Sequence, residues 1–166
     1  MKKERPEVIA LTKDDLLTFS ATLLIEMTTG TFDHLRVLVV DDVPTVRLIL
    51  RGMLSRMGWT KILEAEDGQQ ALALIRQRHD QGPGHRIDLV ICDWNMPNLS
   101  GADLLRALRS DSRMDTLNFV MVSSEAEVSR LSEVQRSAVS AYIVKPFDAD
   151  RLLEVLKQVC APSDQA

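Results

Sequence analysis

Residues 37–58 read VLVVDDVPTVRLILRGMLSRMG. An apolar run, Val37 to Val40, stops at the pair Asp41-Asp42, and apolar side chains then recur at helical spacing from Arg47 to Met57 until Gly58 closes the segment. That is a strand followed by a helix. The unit repeats. Ile62 to Leu63, Leu89 to Cys92, Phe119 to Val122 and Tyr142 to Val144 read as strands. Gln69 to Arg78 follows the turn Asp67-Gly68, Ala102 to Leu108 follows Ser100-Gly101, a fourth helix begins near Glu125, and Arg151 to Cys160 follows Asp148. Strands this apolar on both faces need helices on both sides, so the expected fold is α/β, a doubly wound five-stranded parallel sheet with right-handed crossovers.

Two segments depart from the alternation. His79 to His85 contains Gly82-Pro83-Gly84, a long loop signal between a helix and a strand. Before the first strand, Thr12-Lys13-Asp14-Asp15 has capping-box spacing, with aspartate in place of glutamate, ahead of Leu16, Phe19, Leu23 and Met27 at helical spacing. The expected organisation is an N-terminal helical extension over residues 1–34 and one domain over residues 35–166. The helix from Asp14 to Met27 either packs its stripe on its own domain or offers it to a partner, a second copy included.

With 166 residues, 45% of them apolar, the chain buries one full core and leaves little for a second. A formal net charge of -4 gives no general attraction to polyanions, so a nucleic-acid partner is not expected. Cys92 lies in an apolar run and Cys160 on a helical pattern, without CxxC spacing, and both read as reduced thiols of a cytoplasmic protein. Charged residues and Pro6 interrupt the amino terminus before any signal-peptide core forms, and no segment approaches membrane-spanning length, so membrane insertion is not expected. With only residues 161–166 after Cys160, a DNA-reading domain is not expected.

Ligands of open parallel sheets bind outside the carboxyl ends of the strands, which makes the residue after each apolar run the one to inspect. Those residues are Asp41-Asp42, Asp93, Ser123 and Lys145. Three carboxylates, a hydroxyl and an ammonium would converge on one sheet edge. One lysine cannot neutralise three carboxylates, so the cluster calls for a hard cation with oxygen ligands, and magnesium suits it best. Asp93, alone at a central strand end, is the candidate nucleophile for phosphorus; Asp41 and Asp42 suit the metal. Lys145 offers a point charge and Ser123 a hydrogen bond to phosphoryl oxygens.

Val39-Val40-Asp41-Asp42, Glu64-Ala65-Glu66-Asp67-Gly68, Asp93-Trp94-Asn95-Met96-Pro97-Asn98 and Val144-Lys145-Pro146-Phe147 resemble, in order, the receiver domain of two-component response regulators. The resemblance runs from about Leu35 to Cys160 and is strongest to the family's chemotaxis-type members. It implies a flavodoxin-like strand order 2-1-3-4-5. It further implies that Asp42, Asp93 and the main-chain carbonyl of Asn95 bind Mg2+, with Mn2+ as a substitute, while Asp41 acts mainly through water. Asp93 would take its phosphoryl group from a histidine kinase or phosphotransfer protein, and Lys145 would pair with it. Ser123 would move toward the phosphoryl oxygen and let Tyr142 change rotamer. That change would couple the site to the face of the fourth helix, fifth strand and fifth helix, where a downstream target protein binds. Asn95 and Glu125 stand at positions that tune dephosphorylation, and Lys145-Pro146 would be a cis peptide.

Each feature has a plainer reading beside this one. Asp41-Asp42 alone is a solvated acidic turn until Asp93, Ser123 and Lys145 fall into register with it. Ser123 or Ser124 could simply cap the helix near Glu125. Tyr142 and Trp94 could be packing. His34, His79 and His85 lack ligand spacing and read as surface residues. Ser123 stands where threonine is common, and Ala138 where the chemotaxis-type relatives carry glycine. The rival functions are a phosphate sink or intermediate within a relay, and a magnesium-dependent phosphohydrolase with an aspartyl-phosphate intermediate. The second would want an acid two residues beyond its nucleophile, where this chain has Asn95, or Val43 if the nucleophile is Asp41. The expectation is a protein that is no enzyme beyond its own phosphorylation and dephosphorylation.

Overall fold

The computed structural model describes residues 32–160, and the helix expected over Asp14 to Met27 lies outside them. Five strands, β1 (Arg36–Val40), β2 (Lys61–Ala65), β3 (Leu89–Asp93), β4 (Asn118–Ser123) and β5 (Ala141–Val144), form one parallel sheet in the order β2-β1-β3-β4-β5. This is the doubly wound, flavodoxin-like order expected. The helices are α1 (Pro44–Arg56), α2 (Gly68–Asp80), α3 (Gly101–Arg109), α4 (Glu125–Ser129), α5 (Glu133–Ala138) and α6 (Ala149–Val159).

Strand periodicity divides the core in two. Val37, Val39, Leu89, Ile91, Val120, Val122 and Ile143 point to one face, where Leu50 and Leu54 of α1 and Leu152, Val155 and Leu156 of α6 cover them. Leu38, Val40, Val90, Cys92, Phe119 and Met121 point to the other, against Ala71 and Ile75 of α2 and Leu104, Leu105 and Leu108 of α3. Phe32 stacks on Trp59 with ring centroids 5.1 Å apart, fixing the segment that leads into β1 against the end of α1.

Three elements differ from the sequence reading. α1 begins at Pro44, not Arg47, because a proline in the first helical turn loses no hydrogen bond there and has φ preset for the helix. The Gly82-Pro83-Gly84 loop holds a 3-10 turn over Pro83–His85, entered through Gly82 at φ 103°, a left-handed backbone that suits glycine. The helix expected from Glu125 is two short helices. Ser124 with Glu127 and Ser132 with Gln135 each form a complete capping box, so a second amino terminus starts where one helix would have continued.

Candidate functional site

β1 delivers Asp41 to the carboxyl edge of the sheet, where it is 3% exposed. Its main-chain N–H donates to the Ala65 carbonyl (3.2 Å), and its Oδ1 accepts from the Val43 N–H (2.9 Å). Arg47 Nη1 donates to the Asp41 carbonyl (2.7 Å) while its Nε reaches Glu64 Oε2 (3.3 Å), so the first turn of α1 holds the end of β1 in place. Glu64 also takes Arg51 at 2.9 Å. Asp42, next in the chain, is exposed.

Asp93 ends the central strand β3 and is 8% exposed. Its Oδ1 pairs with Lys145 Nζ from just beyond β5, and its Oδ2 accepts from the Asn95 N–H at 3.0 Å. Lys145 is set by its own N–H, which donates to the Ser123 carbonyl at 2.9 Å, and the Lys145-Pro146 peptide is cis. Ser123, at the end of β4, is fully buried, and its Oγ meets no hydrogen-bonding partner among the described residues. A buried hydroxyl left without a partner costs about 1–3 kcal/mol.

The electrostatics follow from this crowding. Burial raises the Asp41 carboxyl above its ordinary value, and the charges of Asp93 and Asp42 add to that, against the Val43 N–H and Lys145, which lower it. For Lys145, burial pulls the ammonium down, but the bond to Asp93 and the charges of Asp93, Asp41 and Glu127 outweigh it, and the net direction is up. Among the described residues no three His, Cys, Asp or Glu side chains stand close enough, as placed, to ligate one ion together. Magnesium keeps several waters and takes one or two carboxylates. The hard oxygen donors and the carboxylate charges of Asp93 and Asp42 acting on Asp41 fit such a cation.

Asp41→Asn tests that repulsion. Because the folded-state value of Asp41 is raised, the stability it contributes is full below the ordinary 3.8 and is lost as pH rises through the folded value. At neutral pH its charge is a cost. In buffer with chelator, this uncharged variant is expected to show a higher urea midpoint than wild type, with a gain of ~0.5–1 kcal/mol. A lower midpoint at neutral pH would refute the repulsion.

Of the remaining sequence candidates, Tyr142 lies on β5 with its O–H donating to the Gln135 carbonyl of α5 at 3.1 Å. Burial raises its phenol, opposed by the charge of Arg136. Trp94 is half-buried and lines a cavity of about 200 Å³ with Leu105, Arg109 and Ala138. Glu125 is exposed. Asn95 Nδ2 donates to Glu127 Oε1.

Two groups near the site went unread in the sequence. Asp67 Oδ1 accepts from the Gln70 N–H (2.7 Å) and its Oδ2 from Asn98 Nδ2 (2.6 Å), and these bonds hold its carboxyl below the usual value. Asn98 sits at φ 65°, a left-handed conformation asparagine tolerates, and the Gly68 N–H donates to the Leu99 carbonyl (3.1 Å). Together they latch the loop after Asp93 onto the start of α2. Glu127 had a readable signal, the Ser124-Glu125-Ala126-Glu127 spacing of a capping box.

Comparison with known proteins gives a consistent picture. The family model described as "Response regulator receiver domain" matches residues 37–157. The chemotaxis protein CheY of Pseudomonas aeruginosa is 37% identical over 125 residues, covering 75% of this chain and 95% of the relative. CheY-3 of Vibrio cholerae is 35% identical over 126 residues, covering 76% of this chain and 92% of the relative. Among solved structures, the response regulator TrrA of Thermotoga maritima, in complex with Mg(2+)-BeF, is 31% identical with a TM-score of 0.61, over 75% of this chain and 98% of that one.

Proposed function

The chain belongs to the response regulator receiver domain family and is CheY-like, and on that premise we propose that it takes a phosphoryl group on Asp93 from a histidine kinase or phosphotransfer protein and acts through phosphorylation-dependent protein binding. The strongest support is the ion pair between Asp93 and Lys145 at one sheet edge, beside the buried Ser123 hydroxyl that has no partner among the described residues. A carboxylate oxygen of Asp93 attacks phosphorus as the bond from phosphorus to the donor nitrogen breaks, and that electron pair returns to the donor. The Lys145 ammonium transfers its contact from Asp93 Oδ1 to the incoming phosphoryl oxygens. Ser123 Oγ supplies them a hydrogen bond and so loses its own unsatisfied state.

Mg2+, or Mn2+ in its place, would be held by Asp42, Asp93 and the Asn95 carbonyl, with Asp41 acting mainly through water. When bound it neutralises charge on the transferring group. The output surface is the face of α4 and α5, β5 and α6, which Tyr142 reaches through its bond to the Gln135 carbonyl. Asn95 and Glu125 are the proposed tuning positions for dephosphorylation. The receiver unit is taken as residues 35–166, with 1–34 as an extension that could join two copies, and the setting as cytoplasmic. Among the described residues no helix is long and apolar enough to cross a membrane. A phosphate sink would use the same chemistry. A phosphohydrolase is disfavoured because Asn95 stands where its acid would be.

Incubation with acetyl phosphate and magnesium, read by intact mass, tests this. Wild type is expected to gain the mass of one phosphoryl group, with chelator or Asp93→Asn abolishing the gain. An unchanged wild-type mass, or an equal gain in the variant, would overturn it.

A further inference from the structure

Glu127 belongs to neither the metal set nor the sequence candidates, yet one carboxylate of this half-buried residue ties two loops of the site together. Its Oε2 accepts from the Ser124 N–H at 2.7 Å, closing the α4 capping box, while its Oε1 meets Asn95 Nδ2 from the loop after Asp93. Its charge also reaches Lys145, where it adds to those of Asp93 and Asp41. Glu125, two residues earlier, is exposed.

We infer that Glu127 is a positioning and specificity-determining residue of the phosphorylation site: it holds the Asn95 side chain against the amino terminus of α4, and its charge discriminates among phosphodonors by their negative charge. This rests on Asp93 being the phosphoacceptor. The negative charges of Asp41, Asp42, Asp93 and Glu127 act together at this edge, with Lys145 as the opposing charge at Asp93, so a more negative donor meets more repulsion.

Phosphorylation rates with the more highly charged acetyl phosphate and the less charged phosphoramidate, measured by mass on the full chain with magnesium, test this in wild type, Glu127→Gln and Glu127→Ala. Glutamine keeps an oxygen for the Ser124 N–H, so Glu127→Gln separates charge from capping. The rate ratio of acetyl phosphate to phosphoramidate is expected to rise roughly threefold to tenfold in Glu127→Gln at low ionic strength, and the rise should shrink as salt is added. Glu127→Ala should show the same rise together with a lower melting temperature, which Glu127→Gln escapes. A ratio unchanged in Glu127→Gln, or a rise that salt does not diminish, overturns the inference while a wild-type mass gain leaves Asp93 standing as the acceptor. A wild type that gains no mass from either donor overturns both.

Discussion

Gly101→Ala is expected to lower the stability of the protein by about 2 kcal/mol and to take phosphoryl uptake with it, although alanine is the better helix former. A Cβ at Gly101 would drive into the main-chain carbonyl oxygen of Asp93 and would lie 3.2 Å from Cys92 Sγ. Backbone oxygen at the end of a central strand cannot rotate away as a flexible side chain can. Relief therefore has to come from shifting α3 or the end of β3, and either moves the carboxylate proposed to attack phosphorus. The Gly101 N–H also donates to the Trp94 carbonyl at 3.0 Å, so a shift of α3 pulls on the loop between them as well. Urea denaturation gives the first effect and intact mass with acetyl phosphate the second. A variant of wild-type stability and uptake would show that α3 can retreat without disturbing β3.

Lys145→Gln is expected to slow phosphoryl uptake roughly 10²-fold, the scale of removing one preorganised donor from a transition state. Glutamine can still donate a hydrogen bond, but it cannot balance charge on the phosphoryl oxygens or on Asp93. The stability difference from wild type has a defined pH course. The Lys145 value is raised in the fold despite burial, so its contribution is complete below the ordinary 10.5 and disappears as pH rises through the folded value. Wild type should therefore exceed the variant across neutral pH and converge with it only in strong alkali. Because the Lys145 side chain is 39% exposed, solvent screens much of the effect, and the uptake rate is the sharper measurement. Uptake within a few-fold of wild type would remove Lys145 from the proposed chemistry.

Most of the fold was legible because four of the five strands are apolar runs stopped by a polar residue, and those stops mark the sheet's carboxyl edge. Asp41, Asp93, Ser123 and Lys145 stand together for that reason, spread though they are over the chain. Elements went astray where a short polar signal was outweighed by longer periodicity. Pro44 marks the first turn of α1, yet the apolar spacing becomes visible only from Arg47. Ser132 and Gln135 announce a second helix start inside what reads as one helix. The contact of Glu127 with Asn95 is not legible in the sequence, because the helical turn after Ser124 decides which carboxylate reaches Asn95. The Arg47 bond to the Asp41 carbonyl and the Asn98 bond to Asp67 join residues through backbone geometry that sequence spacing does not reveal.

The break between α4 and α5 leaves helices of 5 and 6 residues where a single longer one would be sturdier. Neither is long enough to persist unaided, so this stretch is the sort that opens locally well before the sheet does. A protein gripping it must supply the free energy of keeping it wound, which leaves the complex weaker than its contact area suggests. Rapid release then comes built in, so on the proposed reading the lifetime of a message passed through this surface would be set by the helices as much as by the aspartate.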